Sequence, residues 1–130
     1  LTISTGAVQW FDISGYPAGL VRGSDGNPWF TEYTDRIGTI ANNTVSEFGT
    51  QGAQPYPPIL GSDGNVWCGD GGDGSVLTKR YVGNVTPQGV VNEYLTAGLP
   101  NGLIQAGSWI YFGENAAFIG RAFSLGDIVK

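Results

Sequence analysis

Apolar and polar residues alternate along this chain in short runs, each broken by Gly, Asp, Asn or Pro, and the runs recur. Such alternation with turn formers between predicts strands rather than helices. The segment GSDGNPWFTE at Gly23–Glu32 returns as GSDGNVWCGD at Gly61–Asp70, which puts Trp29 and Trp67 38 positions apart. A third, eroded copy is AGSWIYFGE at Ala106–Glu114, where Asp-Gly is lost and Tyr111-Phe112-Gly113-Glu114 aligns with Trp29-Phe30-Thr31-Glu32.

The surroundings recur in the same order. Ahead of each copy stands a proline-led apolar stretch: Pro17-Ala18-Gly19-Leu20, Pro57-Pro58-Ile59-Leu60, then Pro100-Asn101-Gly102-Leu103. Behind it comes an apolar-Gly pair: Ile37-Gly38, Val82-Gly83, Ile119-Gly120. Val45-Ser46-Glu47-Phe48 and Val91-Asn92-Glu93-Tyr94 follow, and Val8-Gln9-Trp10-Phe11 precedes the first copy. The periods run over about 8–45, 46–90 and 91–130 and make one repeat domain of residues 1–130.

Each copy divides into four short strands. The proline-led stretch is the innermost. Asp25-Gly26 or Asp63-Gly64 then closes a tight hairpin, since both residue types tolerate positive φ. The Trp-bearing segment is the second strand, the apolar-Gly pair sits in the third, and Val-x-x-Phe/Tyr is the fourth. Four strands in roughly 40 residues are the blade of a β-propeller. The expected fold is therefore all-β, a partial β-propeller of about three four-stranded blades, whose Trp29, Phe30, Trp67 and Phe112 must pack on neighbouring blades. Val8–Ile13 reads as an orphan outer strand, able to complete a blade of a neighbouring molecule.

Composition agrees. The 22 glycines fit a chain full of tight turns, and 41% hydrophobic residues against 13% charged are enough for a core. The net charge is −5, and the six basic residues, Arg22, Arg36, Lys79, Arg80, Arg121 and Lys130, are scattered. They form no positive stripe for a phosphate backbone, so nucleic acid is not an expected partner. No apolar run approaches the ~20 residues of a membrane-spanning helix. The triplets Asn42-Asn43-Thr44 and Asn84-Val85-Thr86 have the form of glycosylation sites at Asn42 and Asn84, and they tilt the expected location toward the extracellular space or cell surface.

The pattern Pro-x-Gly-Leu, Gly-x-Asp-Gly-Asn-x-Trp-Phe-Thr-Glu, Ile-Gly-x-Ile, Glu-Phe resembles the repeat of the streptogramin (virginiamycin B) lyase-like propellers, which are related in style to NHL-type repeats. Tyr16–Ile40 carries it most closely; the second copy has Cys-Gly-Asp for Phe-Thr-Glu and a longer loop. The resemblance implies a propeller fold. It also implies a metal-assisted elimination that opens a cyclic peptide, run by histidines with a glutamate and magnesium. This chain contains no His, so no position takes over those histidine roles.

Chemistry must then come from elsewhere. Glu32, Asp70 and Glu114 hold one repeat position, and propeller geometry is expected to bring them to one rim, with Asp73 in the nearby loop. Clustered carboxylates hold calcium or magnesium, or raise one another's pKa; the alternative is that each merely ends a strand. Cys68, at the Phe30 position, is expected to be a small buried hydrophobe, and without an imidazole neither it nor any Ser or Thr is an activated nucleophile. Lys79-Arg80 reads as a solvated loop. Tyr33, Tyr56 and Tyr81 are candidates for stacking on a glycan or peptide, or for packing between blades.

Three functions remain open. The first is a non-catalytic propeller segment that serves as an assembly or binding scaffold, with other copies of itself or further blades as partners. The second is part of a lyase-like enzyme with its catalytic blades elsewhere. The third is a multichain propeller that binds a glycan or peptide.

Overall fold

In the computed structural model, residues 7–52, 54–71, 79–114, 118–123 and 128–129 are described. They form three four-stranded antiparallel sheets, each in simple sequence order, and no helix. The first sheet holds β1 (Pro17–Arg22), β2 (Pro28–Glu32), β3 (Arg36–Ala41) and β4 (Thr44–Gly49). The second holds β5 (Ile59–Leu60), β6 (Val66–Asp70), β7 (Arg80–Val85) and β8 (Val91–Thr96). The third holds β9 (Pro100–Ala106), β10 (Trp109–Glu114), β11 (Phe118–Phe123) and β12 (Ile128–Val129). These are the expected blades. The second and third sequence periods begin within the outer strand of the preceding sheet, β4 and β8.

The period-2 alternation of β2 and β6 sends successive side chains to opposite faces, and this makes the seams. Trp29 and Ile37 of blade 1 pack against Val66, Cys68 and Val85 of blade 2. Trp67 and Val82 of blade 2 pack against Leu103, Ile110, Phe112 and Ala122 of blade 3. An aromatic residue of the outer strand closes each Trp on its own sheet: the rings of Trp29 and Phe48 are 6.0 Å apart, those of Trp67 and Tyr94 6.4 Å, both at 22°. Such offset stacking suits the ring quadrupoles.

The glycine of the apolar-Gly pair is explained by its register partner. Gly38 lies opposite Phe30 and Gly120 opposite Phe112, and a Cβ on either glycine would enter the facing ring. In blade 2 the partner is Cys68, and a carbonyl takes the space: a Cβ on Gly83 would meet Asn92 O at 2.8 Å.

Two expectations change. The Asp-Gly turn has positive φ only at the glycine, +82° at both Gly26 and Gly64. Asp25 accepts instead from the Asn27 N–H at 3.0 Å and from Trp29 Nε1 at 3.2 Å; Asp63 does the same for Asn65 and Trp67, each at 3.1 Å. The aspartate is there for its carboxylate, not for its tolerance of positive φ. The second change concerns Val8–Ile13, which pairs with no strand among the described residues. Trp10, Phe11 and Ile13 line an apolar cleft of about 240 Å³ with Leu20, Phe30 and Ile40, along the free face of blade 1.

Candidate functional site

The residue that ends the second strand of each blade is a buried carboxylic acid: Glu32, Asp70 and Glu114. Register fixes its neighbours. Glu32 pairs with Pro17 and Arg36, Asp70 with Tyr81 and Glu114 with Pro100. The chain arrives at blades 1 and 2 through a strap that crosses directly over this carboxylic acid.

In blade 1 the strap is Ile13–Tyr16. Ser14 donates to Glu47 of β4 twice, from its N–H at 2.7 Å and its hydroxyl at 2.6 Å. Arg36 Nη1 reaches Glu47 Oε2 at 3.5 Å and Ser14 Oγ at 3.2 Å. Gly15 lies so close that a Cβ would stand 2.7 Å from Glu32 Oε2 and collide with the Thr34 hydroxyl. The Tyr33 N–H, donating to Tyr16 O at 2.9 Å, ties down the far end.

Blade 2 repeats the clasp with more donors. The Gln51 N–H donates to both oxygens of Glu93, at 3.0 and 2.9 Å. Asp70 Oδ2 accepts from the Thr50 hydroxyl and Oδ1 from the Gln54 N–H, each at 3.1 Å. Gly52 lies against the Asp70 carboxylate as Gly15 lies against that of Glu32. Two acids per blade, one from the second strand and one from the fourth, thus grip the arriving strap.

The electrostatics of the pair in blade 1 are unequal. Burial first, then the neighbouring Glu47 carboxylate, pushes Glu32 up to about 7. The hydrogen bond from Glu32, followed by those from Ser14, lowers Glu47 to about 2. Two close carboxylic acids share one proton because both cannot ionise cheaply, and the two values belong to the pair. In blade 2, burial raises Glu93 despite its bonds from Gln51, and the charge of Asp70 adds to the rise.

Glu32, Asp70 and Glu114 are equivalent, one per blade, and Glu32 and Asp70 lie against their straps. Among the described residues no group of three or more His, Cys, Asp or Glu is placed to hold a metal ion. Asp73 lies outside the described residues. The second acids, Glu47 and Glu93, were visible in the repeat as Val-x-Glu-Phe/Tyr but were read as strand landmarks only.

Asn42 stands exposed at the tip of the β3–β4 turn, with Asn43 beside it, both at positive φ (51° and 60°). Asn84 is buried in β7 and its Oδ1 accepts from the Asn65 and Asn92 amides at 3.4 and 3.1 Å. Of the two sequon asparagines, Asn42 is therefore the exposed one and Asn84 the buried one. Cys68 is buried in the seam, where loss of solvent drives its thiol far up, against nucleophilic use. Tyr81 is buried, Tyr56 half-buried and Tyr33 exposed. Tyr33 lines an open polar cleft of about 460 Å³ with Ser14, Thr34, Asp35 and Arg36, directly outside the blade 1 clasp.

No family model and no curated protein sequence matches this chain. Among solved structures, it is similar to a protein provisionally described as a gluconolactonase, at 17% identity and a TM-score of 0.62, over 81% of this chain and 44% of that one. It is also similar to a catalytically inactive virginiamycin B lyase from Staphylococcus aureus with quinupristin, at 23% identity and a TM-score of 0.39, over 87% and 54%. The chain spans about half the length of each. The three sheets are propeller blades.

Proposed function

We propose that this chain is a non-catalytic β-propeller segment that works as an assembly and binding scaffold, its partners being other copies of itself or further blades. The observation that carries the reading is the contrast between inner and outer faces. Positions that are buried in the two seams have exposed counterparts at the two ends: Leu20 is 66% exposed on blade 1, and on blade 3 Ile104 is 60% and Ile119 73% exposed. Tyr111, which holds the Trp29 and Trp67 position, and Trp109 with Arg121 stacked 3.9 Å above it continue the blade 3 face. Unpaired faces of this kind are covered in propellers by closing the ring. Head-to-tail stacking of copies gives a ring if the rotation closes and a filament if it does not. An extracellular setting accords with a glycan on the exposed Asn42.

Light scattering on the 130-residue chain tests this. Defined multiples of 13.7 kDa are expected, and replacement of Ile104 and Ile119 by Asp should return the mass to one chain. A single-chain mass at every concentration from micromolar upward sinks self-association.

A second reading takes the same blades as part of a lyase-like enzyme whose catalytic residues lie on other blades. It is favoured by the span, under half of the gluconolactonase-like neighbour.

A further inference from the structure

The two straps are gripped alike, yet one acid differs in what its atoms meet. Both oxygens of Asp70 have donors from their strap. Glu32 is buried completely; its Oε2 accepts a long bond from Thr34 at 3.3 Å, the Gly15 N–H is the one further donor to the carboxylate, and Oε1 has no hydrogen-bond partner. A buried carboxylate oxygen with no donor loses its hydration without replacement, whereas a protonated carboxyl becomes a donor. The acceptor on its side is Glu47: Arg36, the register partner of Glu32, pairs with Glu47, and the strap neighbours Ser14 and Gly15 meet Glu47 and Glu32 respectively.

We infer that Glu32 carries a proton which it donates to Glu47, and that this carboxyl–carboxylate bond is a pH-operated lock on the strap Ile13–Tyr16. The charged groups around it are few. β4 supplies Glu47, β3 supplies Arg36, which pairs with Glu47, and the β2–β3 turn supplies Asp35, 3.8 Å from Arg36 Nε. The strap and β1 bring Ser14, Gly15 and Pro17 against the site, all uncharged.

Ionisation of Glu32 places a second negative charge under Gly15 and turns the bond to Glu47 into repulsion. The strap is the link between blade 1 and residues 7–12, so its release also loosens the half-buried Phe11 from the apolar cleft it lines with Leu20, Phe30 and Ile40. The lock thereby controls whether that face is covered by the chain's own segment. It is independent of what the face later recruits.

The sign follows from linkage. Glu32 is raised in the closed strap, so its contribution is full below the ordinary 4.5 and is lost as pH climbs toward about 7. Glu47 is lowered, so its contribution is full above 4.5 and is lost as pH falls toward about 2. The closed strap is therefore tightest near pH 4.5. Opening rises about tenfold per pH unit from there to about 7 and then levels off.

Hydrogen exchange at the Ser14 and Tyr33 amides, corrected for intrinsic rate, reads this opening directly. In the unaltered chain the opening constant should climb by about two orders of magnitude between pH 4.5 and 7. In Glu32→Gln, whose amide donates to Glu47 at every pH, it should stay flat. Carbon-13 NMR of the Glu32 carboxyl in the unaltered chain gives a second reading that needs no variant: it should remain protonated through pH 6. A flat profile in the unaltered chain, a Glu32→Gln profile as steep as the parent, or a Glu32 carboxyl ionised by pH 5.5 each overturns the lock.

Discussion

Blades 1 and 2 share a strand order, a Trp held by an Asp in the turn, an outer-strand aromatic and a two-acid clasp, but the faces they turn backward are unlike. The forward-facing residues of the second strand are both Trp. The backward-facing residue between them and the strand end is Phe30 in blade 1 and Cys68 in blade 2. Cys68 has Trp29 of the preceding blade to accommodate, together with Val66 and Val85. Phe30 faces only the segment 7–13 and fills the space over Gly38 itself. A repeat of this kind keeps the large forward knob and lets the backward side vary in volume with whatever the knob meets. In blade 3 the backward side is Ile110, Phe112 and Ala122, a different set around the same Trp.

Removal of a knob should have the largest effect. Trp29 and Trp67 are 1% and 0% exposed, so Trp67→Ala and Trp29→Ala should each cost about 3–5 kcal/mol. Urea denaturation followed by circular dichroism measures this. Trp67, set in the seam with the bulkier partners Phe112 and Leu103, should show the larger loss. A cost below 1 kcal/mol at either position would mean that the seams do not bear the stability.

Cys68→Phe comes next, and it runs against the repeat. It restores the residue of the first copy, so a consensus argument expects stabilisation. The seam argues otherwise: the added ring must enter a space already filled by Trp29, and overpacking of this kind costs about 1–3 kcal/mol. The same denaturation assay decides, and a more stable variant would show that blade 2 has slack at its backward face.

The blade order, the forward Trp and the apolar-Gly pair were legible because each depends on period-2 alternation and on a missing side chain, which spacing reveals. The strap clasp was not. Gln51, Gln54 and in part Ser14 act through backbone N–H groups, which any residue except Pro offers, and the Ser14 and Thr50 hydroxyls that help them stand outside the repeated landmarks. Glu47 and Glu93 stood in the repeat, but their function depends on a partner 15 and 23 positions earlier at Glu32 and Asp70, and only the register of β2–β3–β4 and β6–β7–β8 joins them. Glu32 and Asp70 belong to different sheets, and each lies against its own strap. The burial of Asn84 was hidden by the polarity of Asn65 and Asn92, which satisfy it inside the sheet.

The smallest effect concerns the turns. Asp25 and Asp63 each bind the N–H two residues on and the indole N–H four residues on. The third copy has lost its Asp, has Tyr111 in place of the Trp, and closes β9 to β10 through Gly107 at φ 59°. With no indole N–H to bind, an aspartate there has nothing to do, and the two losses belong together. Asp25→Ala and Asp63→Ala should therefore each cost about 1 kcal/mol, while the parent Trp replaced by Phe should erase most of that cost at the same blade. A double-mutant cycle of Asp63→Ala with Trp67→Phe measures the coupling. Full additivity would separate the turn from the knob, and the paired loss in blade 3 would then have no physical cause in the indole bond.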